Sequence, residues 1–296
     1  MVKISAIICT YNGEKFLSKT LDSLKQQSLD KNDYEIVVVD NNSTDATASI
    51  TKSFMTDYPE LNMQYALQVK AGLSYARNKG IEVAKGAVIV FIDDDAQANT
   101  DFLAAHLQVY TTYPNAAGSG GKVIADYYNG ETPEWISTYI DGLISVIDLG
   151  DVVKQFQGKY PIGCNMGFKR SVVQEMGGFN TEITYRSDEK FVFLQLQKNK
   201  YDIYYTPNAI AYHHIPAQRL TYQAIVKVSQ ITGAGERQRL KNNFLKLMGK
   251  FLEYKVKLVI SLVLALGFLL KGQVKKAKYV VLVRYYVLKG FLFYGK

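Results

Sequence analysis

The sequence predicts an α/β protein in which helices flank a mostly parallel sheet, followed by a helical C-terminal region. Apolar runs alternate with amphipathic stretches over residues 1–125, as in successive βαβ units. Polar residues cluster directly after three of these runs. The charge pattern changes near residue 219. We therefore expect one domain at 1–218, with halves 1–125 and 126–218, and a second region at 219–296.

The elements of the first half follow from local residue patterns. Short runs rich in β-branched residues predict strands, and amphipathic stretches between them predict helices. The predicted strands are Ile4–Cys9, Glu35–Asp40, Asn62–Leu67 and Ala87–Ile92; the predicted helices are Glu14–Gln27, Thr44–Thr56 (capped by Ser43 or Thr44) and Gly72–Ala84. Right-handed crossovers between parallel strands bring their carboxyl ends to one edge of the sheet, where ligands bind.

The second half is less regular over residues 126–165, where we expect loops that cover a substrate. Trp135 in this stretch is expected either to stack on a sugar or to belong to the core. The patterns that follow predict a helix at Phe168–Met176 closed by glycines, a helix at Asp188–Lys198, and a strand at Asp202–Thr206 ended by Pro207.

The composition excludes several classes of protein. Apolar residues make up 48% of the 296 residues and charged residues 21%, which is neither a disordered nor a fibrous composition. Two cysteines, Cys9 and Cys164, are too few for a disulfide framework, and we expect reduced thiols in the cytosol. The first apolar run is too short for a signal peptide, so we do not expect secretion.

The charge is distributed unevenly along the chain. Residues 1–218 carry 19 Lys and Arg against 25 Asp and Glu, a net charge of −6, whereas residues 219–296 carry 16 against 2, a net charge of +14. A basic tail favours an anionic partner, either nucleic acid or a membrane surface. Because the body is acidic and the basic residues flank apolar runs, we expect an anionic membrane surface and no nucleic acid.

Two apolar segments of the tail bear on how it meets a membrane. Leu258–Leu270 is free of charge, but as a helix it would cover about 20 Å of a bilayer core of about 30 Å. Tyr279–Tyr294 is interrupted by Arg284 and Lys289. We expect interfacial or re-entrant helices rather than spans. The alternative is a helical appendage packed on the first domain or on a partner in an oligomer.

The acidic triplet Asp93-Asp94-Asp95 follows the strand predicted at Ala87–Ile92. Three carboxylates packed at a strand end repel one another unless a cation compensates them. Hard divalent ions such as Mg²⁺ or Mn²⁺ bind carboxylates together with phosphate oxygens. A solvated acidic turn is the alternative for the triplet taken alone.

Several motifs together resemble a known family. They are Ile7-Ile8-Cys9-Thr10-Tyr11-Asn12, Val37-Val38-Val39-Asp40-Asn41-Asn42-Ser43-Thr44-Asp45, Ala76-Arg77-Asn78-Lys79-Gly80, Phe91-Ile92-Asp93-Asp94-Asp95, Gly163-Cys164-Asn165-Met166-Gly167-Phe168 with Gly177-Gly178-Phe179, and Tyr205-Thr206-Pro207 with Tyr212-His213-His214. Over residues 3–215 the chain resembles the family 2 glycosyltransferases, inverting enzymes of the GT-A fold, a Rossmann-like α/β fold. The resemblance implies transfer of a sugar from a nucleotide diphosphate sugar.

The resemblance also implies roles for the first three clusters. Thr10 would line the nucleoside pocket beside Tyr11 and Asn12. Asp40 would accept a hydrogen bond from the imide of uracil, which implies a UDP-sugar donor. Arg77 would contact the base or the diphosphate.

The remaining roles concern the metal and the sugar. Asp93 would contact the ribose or the sugar, Asp94 occupies the middle of the DxD pattern on the donor side, and Asp95 would bind the metal, Mg²⁺ or Mn²⁺. His213 follows the last strand, where some relatives supply a metal ligand. A histidine that is only hydrogen-bonded there is the alternative.

The general base would be a carboxylate at the start of an amphipathic helix. The family commonly has a Glu-Asp pair there, and this chain has Asp188-Glu189. Register favours Glu189, while the chemical identity of the family's base favours Asp188, so both remain candidates. A helix N-terminus keeps a carboxylate ionised, as a base requires, but it also favours an Asp without function.

The sequence thus predicts a metal-dependent inverting glycosyltransferase that acts on a hydroxyl of a glycan or lipid-linked saccharide in surface polysaccharide assembly. We expect it at the cytoplasmic face of the inner membrane, as a peripheral or monotopic protein. One alternative is a sugar nucleotidyltransferase, although such enzymes usually carry a Gly-rich basic loop where Thr10–Lys15 has a single glycine. The other is a non-catalytic protein that binds nucleotide sugars.

Overall fold

A computed structural model describes residues 1–183 and 188–293. Close packing within the chain defines two compact units. Unit 1 comprises Met1–Ala125, Val146–Thr181 and Asp188–His214, and unit 2 comprises, as far as the chain is described, Asp126–Ser145, residues 182–183 and residues 215–293. The domain limits predicted from the sequence stay a prediction.

The described residues form a nine-stranded sheet with the order β3-β2-β1-β4-β8-β6-β9-β5, in which β7 also pairs with β9. The strands are β1 (Ile4–Thr10), β2 (Tyr34–Asp40), β3 (Met63–Leu67), β4 (Val88–Asp93), β5 (Ala96–Ala98), β6 (Ala116–Tyr127), β7 (Lys154–Gln155), β8 (Met166–Lys169) and β9 (Asp202–Ile215). Strands β1 to β4 are parallel to one another, while β8 pairs antiparallel with β4 and β6.

The helices connect and flank these strands. They are α1 (Leu17–Lys25), α2 (Thr47–Asp57), α3 (Leu73–Val83), α4 (Phe102–Thr112), α5 (Arg170–Glu175), α6 (Asp188–Lys198), α7 (Tyr222–Leu240), α8 (Phe244–Leu270) and α9 (Val274–Phe293), with 3-10 turns at Asp141–Leu143 and Ala217–Leu220. The predicted fold class, a mostly parallel α/β sheet flanked by helices with a helical C-terminal region, is confirmed.

The core of unit 1 forms because β1, β2 and β4 are apolar on both faces. Every residue of β2 is buried, and so is every residue of β4 before Asp93. Strands that helices cover on both sides have this continuous apolar pattern. At about 25 cal/mol per Å² of apolar area, this burial is the main stabilising contribution to unit 1.

Several predicted element limits were wrong, including those of α1, which spans Leu17–Lys25 rather than Glu14–Gln27, and three further errors have a local cause. Helix α2 begins at Thr47 rather than Thr44, because Asp45 Oδ1 accepts from the Thr47 N–H at 3.0 Å, and so neither Ser43 nor Thr44 is the cap. Residues 166–169 form strand β8 before the short helix α5, so the predicted helix at Phe168–Met176 began too early.

The third error concerns Pro207. Strand β9 continues through this residue, which lies between the segment paired with β7 and the segment paired with β5. The missing N–H of proline interrupts neither pairing there, and such positions tolerate proline.

The C-terminal helices pack together in unit 2. Helix α9 buries Val280, Val283 and Val287, and the ring of Tyr254 on α8 contacts Phe291 of α9 at 5.3 Å between centroids. Residue 294, at the end of the second apolar segment, lies outside the described residues. Across the described chain, no helix combines the length and the apolar character needed to cross a membrane.

Helices α7 and α9 approach closely at two glycines. A methyl group at Gly290 would meet the carbonyl oxygen and Cα of Gln230, and one at Gly233 would meet the backbone at Val287. We expect Gly290→Ala to lower the free energy of unfolding by about 1–3 kcal/mol, because the added carbon must separate two packed backbones. Urea unfolding followed by circular dichroism measures this change.

Gly249 on α8 is the matched control, since a methyl group there meets no atom within 4 Å. Gly249→Ala should leave the stability unchanged or raise it by up to about 1 kcal/mol, the difference in helix propensity between the two residues. Equal losses for both variants would contradict the packing of α7 against α9.

Candidate functional site

The predicted polar clusters meet at one edge of the sheet in unit 1. Thr10 at the end of β1 is paired with Asp40 at the end of β2, and Cys9 is paired with Asp93 at the end of β4. The carboxyl ends of three neighbouring parallel strands therefore lie side by side. This is where ligands bind in open α/β sheets.

Asp94, which follows β4, forms hydrogen bonds with the end of β1 and with helix α1. Its Oδ2 accepts a hydrogen bond from the Thr10 hydroxyl at 2.5 Å, and its backbone carbonyl accepts one from Thr20 at 2.9 Å. A methyl group at Gly13 would meet both Thr10 Oγ1 and Asp94 Oδ2. The close approach of these two segments thus requires the glycine that follows Asn12.

The Asp40 carboxylate is buried and bonded on both oxygens. Oδ1 accepts from the Ser43 N–H and Oδ2 accepts from the Tyr65 hydroxyl, each at 2.8 Å. Burial, together with the adjacent Asp40 carboxylate, raises the pKa of Tyr65 to about 12. Because an ionised carboxylate accepts about four hydrogen bonds, Asp40 retains acceptor capacity for a further donor.

The loop after β1 presents an aromatic ring. Asn12 has φ 54°, and its side-chain carbonyl accepts from the Thr44 N–H at 2.9 Å, while its own N–H donates to Ser43 at 2.9 Å. Asn12 therefore ties two loops together. Tyr11 is 63% exposed, so its ring is available for stacking.

Asp93, Asp95 and His213 form a cluster that could hold a metal ion. One ligand atom from each lies within 4.8 Å of the other two, and His213 Nε2 lies 3.4 Å from Asp95 Oδ1. Strand β5 pairs with β9 at Ala96 and His213, which brings the imidazole to the acidic triplet. Two carboxylates and an imidazole suit Mn²⁺ or Mg²⁺ in donor chemistry.

Arg77, which is predicted to contact the donor, forms an ion pair with the two carboxylates that are candidates for the general base. It lies on α3 with its side chain 4% exposed, and its Nη1 lies 2.7 Å from Asp188 Oδ2 and 3.9 Å from Glu189 Oε2. Its guanidinium packs against the rings of Phe91 and Phe179. Burial alone would lower the pKa of Arg77, but the carboxylates of Asp188, Glu189 and Asp93 reverse the effect and raise it.

The two carboxylates at the start of α6 have different environments. Burial opposes ionisation of Asp188, but the Arg77 charge and hydrogen bonds outweigh it and lower the pKa of Asp188. Burial and the neighbouring Asp188 raise the pKa of Glu189. The side chain of Glu189 is 26% exposed, against 8% for Asp188. The Asp188 carboxylate is thus held in an ion pair with Arg77, and Glu189 is the more accessible proton acceptor.

Gly163 leaves room for the Arg77 guanidinium, because a methyl group there would lie 2.5 Å from Nη2. Burial raises the pKa of Cys9 to about 12 and that of Cys164 well above its usual value. Both residues are therefore neutral thiols at neutral pH, and neutral thiols are poor nucleophiles.

A buried network anchors the segment that carries Gly163. Asn165 donates to the carbonyls of Lys122 and Ala209, so its side-chain oxygen faces His106 Nε2 at 2.9 Å. His106 Nδ1 lies 2.7 Å from Ser119 Oγ. Burial lowers the pKa of His106 to about 4, so the ring is neutral and donates through Nε2.

Sequence reasoning missed three contributors to the site: Gly13, Tyr65 and Gly163. A signal for the two glycines was present, since Gly163 begins one of the motifs and Gly13 directly follows another, but the atoms that they contact belong to remote segments. His214, the neighbour of His213, packs its ring on Phe16 at 4.7 Å between centroids. Trp135, expected either to stack on a sugar or to belong to the core, is buried in unit 2 and stacks on Tyr279 at 4.5 Å.

Residues 5–177 match the sequence model of glycosyl transferase family 2. This match covers more than half of the chain, and the chain belongs to that family.

Curated relatives agree with this membership. The chain is 28% identical over 194 residues to the glucosyl-dolichyl phosphate glucuronosyltransferase of Haloferax volcanii, covering 64% of this chain and 59% of that protein. It is 34% identical over 130 residues to the uncharacterised glycosyltransferase YfnE of Bacillus subtilis, covering 43% and 32%. The matches therefore span less than two thirds of the length of these relatives.

Solved structures share the fold. The mannosyltransferase PcManGT from Pyrobaculum calidifontis, in complex with GDP-Man and Mn²⁺, superposes with a TM-score of 0.63 at 18% identity, covering 95% of this chain and 85% of that chain. S. aureus TarS 1–349 in complex with UDP gives 0.55 at 17% identity, covering 98% and 91%. The GT-A fold is thus confirmed.

The buried ion pair predicts a large cost for removing one partner. We expect Asp188→Asn to lower the free energy of unfolding by about 3 kcal/mol, because it leaves the Arg77 charge without its nearest counterion. Because the pKa of Asp188 is lowered in the folded protein, the pair stabilises above the ordinary Asp pKa of about 3.9 and is lost as the pH falls through the folded value. Urea unfolding at several pH values measures both effects.

Glu82→Gln is the matched control, since it breaks the exposed Lys79–Glu82 pair of 2.9 Å. Its effect should stay below about 1 kcal/mol, the usual limit for exposed pairs. A loss for Asp188→Asn as small as that of the control would show that Arg77 does not depend on Asp188.

Proposed function

We propose that this protein transfers a sugar from a nucleotide diphosphate sugar to a hydroxyl of a glycan or lipid-linked saccharide, with inversion at the anomeric carbon. The observation that carries the proposal is that, in unit 1, the cluster of Asp93, Asp95 and His213 lies near the Arg77–Asp188–Glu189 cluster, since the Asp93 charge contributes to the raised pKa of Arg77. Residues for the donor and a candidate base are thereby brought together.

On the donor side, UDP is the proposed nucleotide. Asp40 retains acceptor capacity for the imide of uracil, and the exposed ring of Tyr11 is available to stack on the base. TarS 1–349 was solved with UDP, whereas PcManGT was solved with GDP-Man. GDP is therefore the nucleotide against which UDP is tested.

Asp93, Asp95 and His213 would hold a divalent ion, Mg²⁺ or Mn²⁺. When bound, such an ion neutralises the charge that develops on the departing diphosphate. The chain's own contribution is to keep both carboxylates and the imidazole close together through the pairing of β5 with β9.

Glu189 is the proposed general base. The pKa of Glu189 is raised toward neutral pH, and a base with a pKa near the working pH is partly ionised and accepts a proton readily. Asp188, held by Arg77, would orient α6 and keep its own negative charge. The reaction would be a single in-line displacement. Glu189 removes the proton from the acceptor hydroxyl, the hydroxyl oxygen attacks the anomeric carbon, and the nucleoside diphosphate leaves.

For the acceptor, we propose a glycan or a lipid-linked saccharide at the cytoplasmic face of the inner membrane, in surface polysaccharide assembly. The net charge of +14 over residues 219–296 supports an anionic membrane surface as a partner. The glucuronosyltransferase relative carries a dolichyl phosphate acceptor in its name, which supports the same class. An oligomer is compatible with this proposal.

Isothermal titration with UDP and GDP, each with and without Mn²⁺, tests the donor site. We expect UDP to bind in the presence of Mn²⁺, and Asp95→Ala to weaken that binding at least about tenfold, since even partners behind a metal ligand contribute tenfold or more. Asp57→Ala, at an exposed position on α2, is the control and should bind as the wild type does. Binding to neither nucleotide by folded protein would remove the proposal.

The base is tested by the hydrolysis of UDP-sugars, in which water replaces the acceptor. We expect Glu189→Gln to lower kcat about 100- to 10,000-fold with little change in the affinity for UDP. The wild-type rate should rise with pH along a limb that lies above the ordinary Glu pKa of about 4.3, because the folded pKa is raised. Loss of nucleotide affinity together with rate would instead indicate a binding role for Glu189.

A further inference from the structure

Helix α8 leaves a broad apolar face uncovered in unit 2. Twelve large apolar side chains of this helix are exposed, with exposed fractions between 44% and 82%. They are Phe244, Leu245, Met248, Leu252, Val256, Val259, Ile260, Leu262, Val263, Leu266, Leu269 and Leu270. Contiguous apolar surface of this extent on a helix marks an interaction site.

The exposed residues share one side of the helix. Leu245, Leu252, Val259 and Leu266 recur every seven residues, which keeps them on one face. The opposite side carries Tyr254 and Ser261, the buried residues of this helix. One side of α8 therefore packs on the rest of unit 2, and the other side exposes apolar side chains.

Charge on this face has a single sign. Every exposed residue of α8 is apolar, glycine or lysine, and its exposed lysines are Lys246, Lys255 and Lys257. The two acidic residues of 219–296 form ion pairs within unit 2: Glu236 with Arg239 at 2.7 Å, and Glu253 with both Lys250 at 2.9 Å and Lys257 at 2.5 Å. The face thus combines apolar side chains with the positive charges of Lys246 and Lys255.

We propose, as a deepening that rests on the membrane part of the proposed function, that α8 lies in the plane of an anionic membrane with this face in the acyl–headgroup boundary. Its 27 residues extend for about 40 Å, and its exposed lysines reach the headgroups because their long side chains snorkel. Interfacial helices combine an apolar face with basic residues in this way.

Helix α9 does not take part in the same way. Its apolar residues Val280, Val283, Val287 and Phe291 are buried in unit 2. The sequence favoured a pair of interfacial helices, and among the described residues of the two apolar segments only the first keeps a wide exposed face. Helix α8 therefore makes the membrane contact, and α9 packs against the side of α8 opposite to the exposed face.

A second copy of the chain is the other possible occupant of the face. Two α8 faces packed on each other would enclose Lys255 of each copy, which lies seven residues from the exposed Met248 and Leu262 and so on the same face, and burying an unpaired charge opposes association. Anionic headgroups complement the same lysines. The charge distribution therefore favours lipid.

The test uses the full chain and flotation with vesicles of phosphatidylglycerol and phosphatidylcholine mixed, or of phosphatidylcholine alone. We expect wild-type protein to float with the anionic vesicles. Val259→Glu with Val263→Glu should weaken this binding at least about tenfold, because two apolar side chains are lost from the boundary and two negative charges are added. Lys246→Gln with Lys255→Gln should reduce binding to the anionic vesicles only.

Val152→Glu with Val153→Glu is the matched control. It makes the same chemical change at two exposed valines of unit 1, so it should float as the wild type does. Equal flotation of the α8 variant and this control would overturn the proposal. So would a wild type that does not float and sediments as a dimer, with a monomeric α8 variant, since a second copy would then cover the face.

Titration with UDP and Mn²⁺ separates this inference from the proposed function. The α8 variant should bind UDP as the wild type does, because the donor residues belong to unit 1. Lost flotation with unchanged UDP binding supports the membrane face. A wild type that floats through α8 but binds no nucleotide would refute the transferase proposal and leave the membrane face standing.

Discussion

The candidate site depends on one buried cation. The guanidinium of Arg77 is almost fully removed from water, and a buried charge is stable only with compensating charges and hydrogen bonds. Asp188 supplies these at 2.7 Å, two aromatic rings pack beside the planar group, and Gly163 leaves the space it occupies. Helix α3, helix α6 and the segment before β8 thus converge because each contributes to the solvation of the same charge.

This constraint gives two adjacent carboxylates pKa shifts of opposite direction. A single buried cation can stabilise only one of them fully, so Asp188 ionises readily while the pKa of Glu189 rises. Neither shift is a property of the residue type, since ordinary Asp and Glu differ by less than one unit. The difference comes from where the helix start is held relative to Arg77, which is why residue type and register could not choose between Asp188 and Glu189.

Much of the fold and part of the site could be predicted because they follow from periodicity and topology. Apolar runs fix β1, β2 and β4, and parallel pairing then brings Thr10, Asp40 and Asp93 to one edge. The errors arise where local signals compete: Asp45 displaces Ser43 and Thr44 as the residue that bonds the start of α2. Contacts between remote segments, such as Tyr65 with Asp40, have no sequence periodicity and could not be predicted.

The charge asymmetry of the sequence acquires a physical meaning only with the structure. A net positive segment could be a uniformly solvated surface, but the two acids of residues 219–296 form ion pairs within unit 2, and Lys255 remains exposed beside the apolar side chains of α8. Helix α9 is buried against α7, where the two backbones approach closely at Gly233 and Gly290. With that contact made, α8 is left to present its apolar side outward, so the same arrangement that stabilises the helices also produces the surface suited to lipid.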